Sequence, residues 1–254
     1  MNRTLRLPRC FAITAILLML PMPTLAAEVP VAVAANFSAP MKIIARDFER
    51  ETGHKATLAF GATGQFYAQI RNGAPFAILL AADDATPIKL EKEGLGVIGS
   101  RFTYATGKLV LWSKKPGLVD AQADVLRNSP FDKIAIANPK LSPYGAAAME
   151  TLDKMGLRER IAPKTVEGSN IAQTFQFVAS ENAALGFVAL SQVVENGTIK
   201  EGSAWIVPAS MHAPIKQDAV LLSAGRDSPA AAALLKYLQG DKAKAVIRSF
   251  GYER

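Results

Sequence analysis

The feature that most constrains this chain is a unit that recurs along it: a short apolar run, a loop of small residues, then a helical pattern. "VPVAVAA" leads through Asn36 and Ser38 to a helix with Met41, Ile44, Ala45 and Phe48 on one face, stopped by Gly53. "KATLAF" passes through "GATG" to a helix ending near Gly73, and "FAILLAA" precedes a helix opened by Thr86 and Pro87 and closed by Gly94. "KIAIA" runs through "NPKLSPYG" into "AAAMETLDKMG"; "TVEGSNI" opens a helix toward Glu181, and "ALGFVAL" follows as a buried strand. "FAILLAA" does not alternate, which suits a parallel strand covered on both faces. Strands alternating with helices in this way predict an α/β protein with mainly parallel sheets.

The rhythm breaks twice. "RFTYATGKLVLWSKK" holds two strand-like runs, 101–105 and 108–113, with no helix between them, and "AWIVPASMHAPIKQDAVLLS" is a second strand-rich passage, followed by helices from Ser228–Pro229 and near Asp241. Two crossings predict two lobes, the second inserted into the first: 27–107 and 213–254 in one, 108–212 in the other.

Residues 1–26 stand apart. Arg3, Arg6 and Arg9 precede "FAITAILLML" and then "PMPTLAAE", the pattern of a cleaved secretory signal with its cut after Ala26 or Ala27. An apolar run of about 10 residues is short of the roughly 20 that span a bilayer. Cleavage removes the single cysteine, Cys10, and lowers the formal charge from +7 to +4. The mature chain can then form no disulfide, and its scattered lysines do not make a nucleic-acid stripe.

Ligands in open α/β sheets collect at the carboxyl ends of strands, where helices begin. Helix starts present unpaired N–H groups and about half a positive charge, so small-residue loops there suit an anion. Asn36, Thr63, Tyr144 and Ile171 all lie in or just after such loops, and four convergent starts would nearly balance a dianion without Lys or Arg. Read singly, each residue has a plainer role: Ser38 as a helix N-cap, Asn36 as a loop stabiliser, Tyr144 as packing, Ile171 as core. Catalysis finds little support. His54 and His212 read as surface residues without ligand spacing, no "GxSxG" elbow occurs, and Asp83 and Asp84, adjacent in sequence, begin the next loop.

The blocks "AANFSAPM", "FGATGQFYAQIRNGAPFAILLAADD", "NPKLSPYGAAAMETL", "EGSNIAQTFQFV" and "ALGFVAL" resemble, in order and approximate spacing, the periplasmic molybdate-binding proteins of ABC importers, over residues 29 to 252. The resemblance implies a two-lobed type II periplasmic-binding fold with a hinge, closing on a tetrahedral oxyanion. It implies ligand contacts from Asn36, the backbone of Ala35, the backbone and hydroxyl of Thr63, Tyr144, and the backbone N–H of Ile171; these touch the oxygens of molybdate, not the metal. Ala189 stands where the family has a Tyr, so the phenol is expected from Tyr144 instead. Ala77 replaces a usual Asp, with its effect expected on the scaffold near the hinge.

The resemblance further implies a monomer without catalytic activity or cofactor. It would capture molybdate or tungstate in the periplasm and deliver it to a membrane permease and its ATPase. Same-fold binding of sulfate, a small periplasmic hydrolase and a ligand-free interaction domain are the alternatives. Replacing Asn36 or Thr63 by Ala is expected to weaken ligand-induced stabilisation while leaving the ligand-free melting point nearly unchanged.

Overall fold

The structure is a computed structural model describing residues 26–128, 131–195 and 197–253. The signal segment expected over residues 1–26 therefore lies outside the described residues, except for Ala26.

In chain order the first half reads β1 (Glu28–Ala34), α1 (Ser38–Thr52), β2 (Lys55–Gly61), α2 (Thr63–Arg71), β3 (Ile78–Leu80), α3 (Ala85–Lys92), β4 (Phe102–Gly107), β5 (Leu109–Ser113), α4 (Val125–Asn128) and β6 (Ile134–Ala137). The second half reads α5 (Pro143–Lys154), α6 (Arg158–Ile161), β7 (Thr165–Gly168), α7 (Ile171–Ala179), β8 (Leu185–Ala189), α8 (Leu190–Val193), β9 (Val194–Glu195), β10 (Thr198–Ile199), β11 (Ser203–Ile206), β12 (Ile215–Leu221), α9 (Pro229–Leu238) and α10 (Asp241–Ser249). Two five-stranded sheets result, ordered β2-β1-β3-β12-β4 and β11-β5-β8-β6-β7.

Each sheet is covered on both faces, which explains the unalternating apolar strands. In the first, Val29, Val31 and Val33 meet Phe37, Met41, Ile44 and Phe48 with Leu234, Leu238 and Ile247. On the other face Ala32, Leu79 and Val220 meet Phe66, Ile70 and Leu90. In the second sheet, Leu109, Leu111, Ile134 and Phe187 pack with Ala148 and Leu152 of α5, while Val110, Trp112 and Val188 pack with Val178 of α7. The α1 face read from the sequence is the buried one, and Gly53 ends that helix at φ 74°, a left-handed position suited to glycine.

One strand in each sheet runs against the rest: β12 in the first and β5 in the second. Both are the strands that receive the chain after a crossing, through Lys108 alone from β4 to β5, and through residues 207–214 from β11 to β12. The carboxyl ends of the other strands in both sheets face the gap between the lobes. A chain leaving one sheet by such an end enters the other at its gap-facing end and must run away from it. Crossing without an intervening α-helix thus dictates the reversal.

Two local expectations change. Ser38 is not the N-cap: a 3-10 turn, Ala35–Phe37, precedes α1, and the Ser38 hydroxyl donates to the Ala35 carbonyl inside it. Ala77 lies at the amino end of β3, remote from the hinge, with its N–H donating to Pro30 O and its carbonyl accepting from Leu222 N. Gly225 packs so closely there that a Cβ on it would come within 2.6 Å of the Ala77 carbonyl oxygen. The departure at Ala77 therefore touches the far end of the first sheet.

Candidate oxyanion site between the lobes

The loops that end β1, β2, β6 and β7 meet where the sheets face each other. They line a small cavity, about 170 Å³ counting the space that opens to solvent, bounded by Ala34, Ala35, Asn36, Gly61, Ala62, Thr63, Ala82, Ser142, Pro143 and Ile171. Neither Lys nor Arg is among them. The lobes touch beside it: Gly64 N–H donates to the Leu141 carbonyl at 3.0 Å, joining the start of α2 to the loop before α5.

The main chain supplies the donors. First-turn N–H groups have no acceptor within their own helix, and those of Ala35, Asn36, Thr63, Tyr144 and Ile171 have no partner among the hydrogen bonds of the described residues. At α7 the Asn170 side chain accepts from Ala172 and Gln173, two and three residues further on, leaving Ile171 N–H untaken. Thr63 Oγ1 accepts from Ala82 N–H at 2.9 Å, which leaves the hydroxyl hydrogen to donate.

The side chains of two expected contacts are engaged elsewhere. Asn36 Nδ2 donates to Gln217 Oε1 at 2.8 Å and Tyr252 Oη at 2.9 Å, so both amide hydrogens are spent within the protein. Its contribution to the cavity is main-chain. The Tyr144 phenol does not line the cavity; its Oη accepts from Gln217 Nε2 at 3.1 Å, beside Gly107. It therefore does not replace the family Tyr at Ala189, which is itself buried with its N–H held by Gln192 Oε1. Of the α5 start, Ser142 and Pro143 reach the cavity.

Ser142 is the residue that sequence reasoning passed over. It occupies the N-cap position of α5 but its hydroxyl makes no capping bond, and among the described residues it has no other side-chain partner. Its signal in the sequence is Ser142-Pro143 at the opening of the helix.

Behind the cavity lies a closed polar set. Tyr252 Oη donates to the Asn36 carbonyl at 2.8 Å, Ser191 Oγ donates to the same oxygen at 2.9 Å, and Tyr104 Oη donates to the Ala81 carbonyl at 2.9 Å. Burial, the largest cause in each case, pushes the Tyr104 and Tyr144 phenols well above the ordinary value and Tyr252 up to about 12. All three stay neutral at physiological pH. The cleft outside the cavity is lined by Asp83, Asp84, Lys140, Glu150 and Lys216, among others. Burial raises the Asp83 carboxyl against the opposing bonds from Thr86.

His212 is a further correction: it is buried, with Nδ1 2.7 Å from the Ala213 carbonyl. His54 is half-buried, its Nδ1 accepting from Ala27 N–H. Among the described residues no group of three His, Cys, Asp or Glu could hold a metal ion, and no helix is long and apolar enough to cross a membrane.

Against known proteins, the family described as bacterial extracellular solute-binding protein matches residues 29–253. The molybdate-binding protein ModA of Azotobacter vinelandii is 62% identical over 227 residues, covering 89% of this chain and 90% of that one. Its counterpart in Rhodobacter capsulatus is 49% identical over 238 residues, covering 94% and 93%. A solved Azotobacter vinelandii periplasmic molybdate-binding protein superposes with a TM-score of 0.86 at 40% identity, over 89% of this chain and 99% of that one. The chain belongs to the bacterial extracellular solute-binding proteins, in the group of the ModA molybdate-binding proteins.

Proposed function

We propose that this protein captures molybdate, and tungstate by the same chemistry, between its lobes and delivers it to the permease and ATPase of an ABC importer. The lobes in this reading are 27–107 with 213–254, and 108–212; the secreted monomer works in the periplasm without cofactor. The observation that carries it is the set of four unpartnered main-chain N–H groups, of Ala35, Asn36, Thr63 and Ile171, with the Thr63 and Ser142 hydroxyls, gathered from four helix starts around a small cavity that has no cationic side chain. The ligand is the one that the ModA relatives are named for binding.

Such donors match a doubly charged tetrahedral oxyanion. Hydrogen bonds to a charged acceptor contribute about 1.5 to 3 kcal/mol each, so several together can offset the desolvation of a dianion. In this reading selection among dianions is by size: molybdate and tungstate have longer metal–oxygen bonds than sulfate. A protonated phosphate would bring an O–H that a wall of donors cannot accept. Contacts come from the backbone of Ala35, Asn36, Thr63 and Ile171 and the hydroxyls of Thr63 and Ser142.

A thermal-shift series with molybdate, tungstate, sulfate and phosphate tests this. A ligand at 100 times its dissociation constant adds about 2.7 kcal/mol to the folded state. A clear rise is expected for the first two only. Equal rises for all four would remove the size argument, and a rise for sulfate alone would make the protein a sulfate carrier.

A further inference from the structure

At the centre of the polar set behind the cavity is Gln217 on β12, fully buried. Its Oε1 accepts from Asn36 Nδ2 at 2.8 Å and lies 3.0 Å from Tyr104 Oη, while its Nε2 donates to Tyr144 Oη at 3.1 Å. Asn36 and Tyr104 belong to the first lobe and Tyr144 to the second. One amide therefore ties the loop after β1, whose N–H groups face the cavity, to α5 across the gap. The pairing of β12 with β4 shifts register between Gln217 and Asp218, and a bulge of this kind re-aims a side chain out of the ordinary alternation. The opposite wall is bare: a Cβ on Gly107 would come within 2.1 Å of Tyr144 Oη and 2.5 Å of Gln217 Nε2.

We propose that Gln217 is a positioning residue for ligand capture: holding Asn36 Nδ2 and Tyr144 Oη at once, it couples the orientation of the Ala35–Asn36 donors to closure of the lobes. The proposal rests on the oxyanion reading above. Gln217 touches no ligand itself. An opening motion that carries α5 away breaks the Nε2–Tyr144 bond. Closing restores that bond while Oε1 holds the Asn36 amide, and the donor loop is set as the second lobe arrives. A ligand that needs both lobes binds more tightly when this tie favours the closed form.

Calorimetry with molybdate on the wild type, Gln217→Leu, Tyr144→Phe and the double variant tests it, with stopped-flow rates alongside. Each single change should raise Kd about tenfold, the scale of one neutral hydrogen bond, through faster dissociation at unchanged association. The double variant should be no weaker than the weaker single, because one shared tie is lost. A packing role alone would instead make the two losses add to about a hundredfold. Additive losses, or variants that bind as the wild type does, overturn the proposal. Should Gln217→Leu not fold, Tyr144→Phe, which removes one oxygen, decides by its dissociation rate: an unchanged rate overturns the proposal and a faster one supports it. A wild type that binds none of the four oxyanions overturns the oxyanion reading and this proposal together.

Discussion

Two neighbouring buried regions between the lobes are both polar and both built on helix starts and strand ends, yet they differ in one respect. Around the cavity, main-chain donors of Ala35, Asn36, Thr63 and Ile171 are without protein partners. In the set formed by Gln217, Asn36 Nδ2, Tyr104, Tyr144 Oη, Ser191 and Tyr252, each of these groups is hydrogen-bonded inside the protein. A satisfied network stiffens the place it occupies, and an unsatisfied one invites a ligand that completes it. Asn36 stands in both, side chain in the first kind of chemistry and backbone in the second.

The harshest way to break the contrast is Gly107→Ala. Its methyl would overlap Tyr144 Oη and Gln217 Nε2, and overpacking of this kind costs about 1 to 3 kcal/mol. The ligand-free melting temperature should drop by several degrees and molybdate affinity should fall with it; an unchanged melt would mean the tyrosine set is loosely packed. Thr63→Ala comes next, and here the structure revises the expectation of an unaffected ligand-free protein. It strips Ala82 N–H of its acceptor, which costs about 1 to 3 kcal/mol for a buried group. Both the ligand-free melt and the ligand-induced rise should therefore fall, whereas Thr63→Ser should spare both.

Ser142→Ala sharpens the comparison from the cavity side. The hydroxyl makes no capping bond, so the ligand-free melt should hold while molybdate affinity falls roughly tenfold or more, the equivalent of a bond of about 1.5 kcal/mol to a charged acceptor. A lowered ligand-free melt with unchanged affinity would return Ser142 to the status of an ordinary cap. Asp83→Asn should act in the other direction and weakly. Removing a carboxyl from the cleft lining should raise affinity a few-fold at low salt, the gain fading as salt screens it; a gain indifferent to salt would point to a packing cause.

The smallest effect expected is a flat response to pH. With the phenols of the tyrosine set raised by burial, affinity should not change between about pH 7 and 9, close to the ordinary tyrosine value near 10. The folded state holds a proton that the unfolded chain releases once pH passes about 10. The stability this group contributes is then lost progressively as pH climbs toward the folded value of about 12 for Tyr252. A melting temperature that declined already at pH 8 would show these groups to be less buried than the packing indicates.

The sequence by itself determined the fold class, because the alternation of apolar runs with small-residue loops and helical faces is local: Met41, Ile44, Ala45 and Phe48 fall on one side of α1 whatever surrounds it. It also marked the cavity, since unpaired N–H groups belong to any helix start and small residues leave them accessible. Tertiary structure alone decided how the side chains are spent. Asn36 meets a partner 181 positions away in Gln217, Tyr144 one 73 positions away, and His212 is buried in a loop that reads as surface. Ser142 takes its place by failing to make the bond its position favours. Hydrogen-bond partners so far apart in the chain leave no periodic trace, whereas the backbone polarity of a helix start is written into every helix.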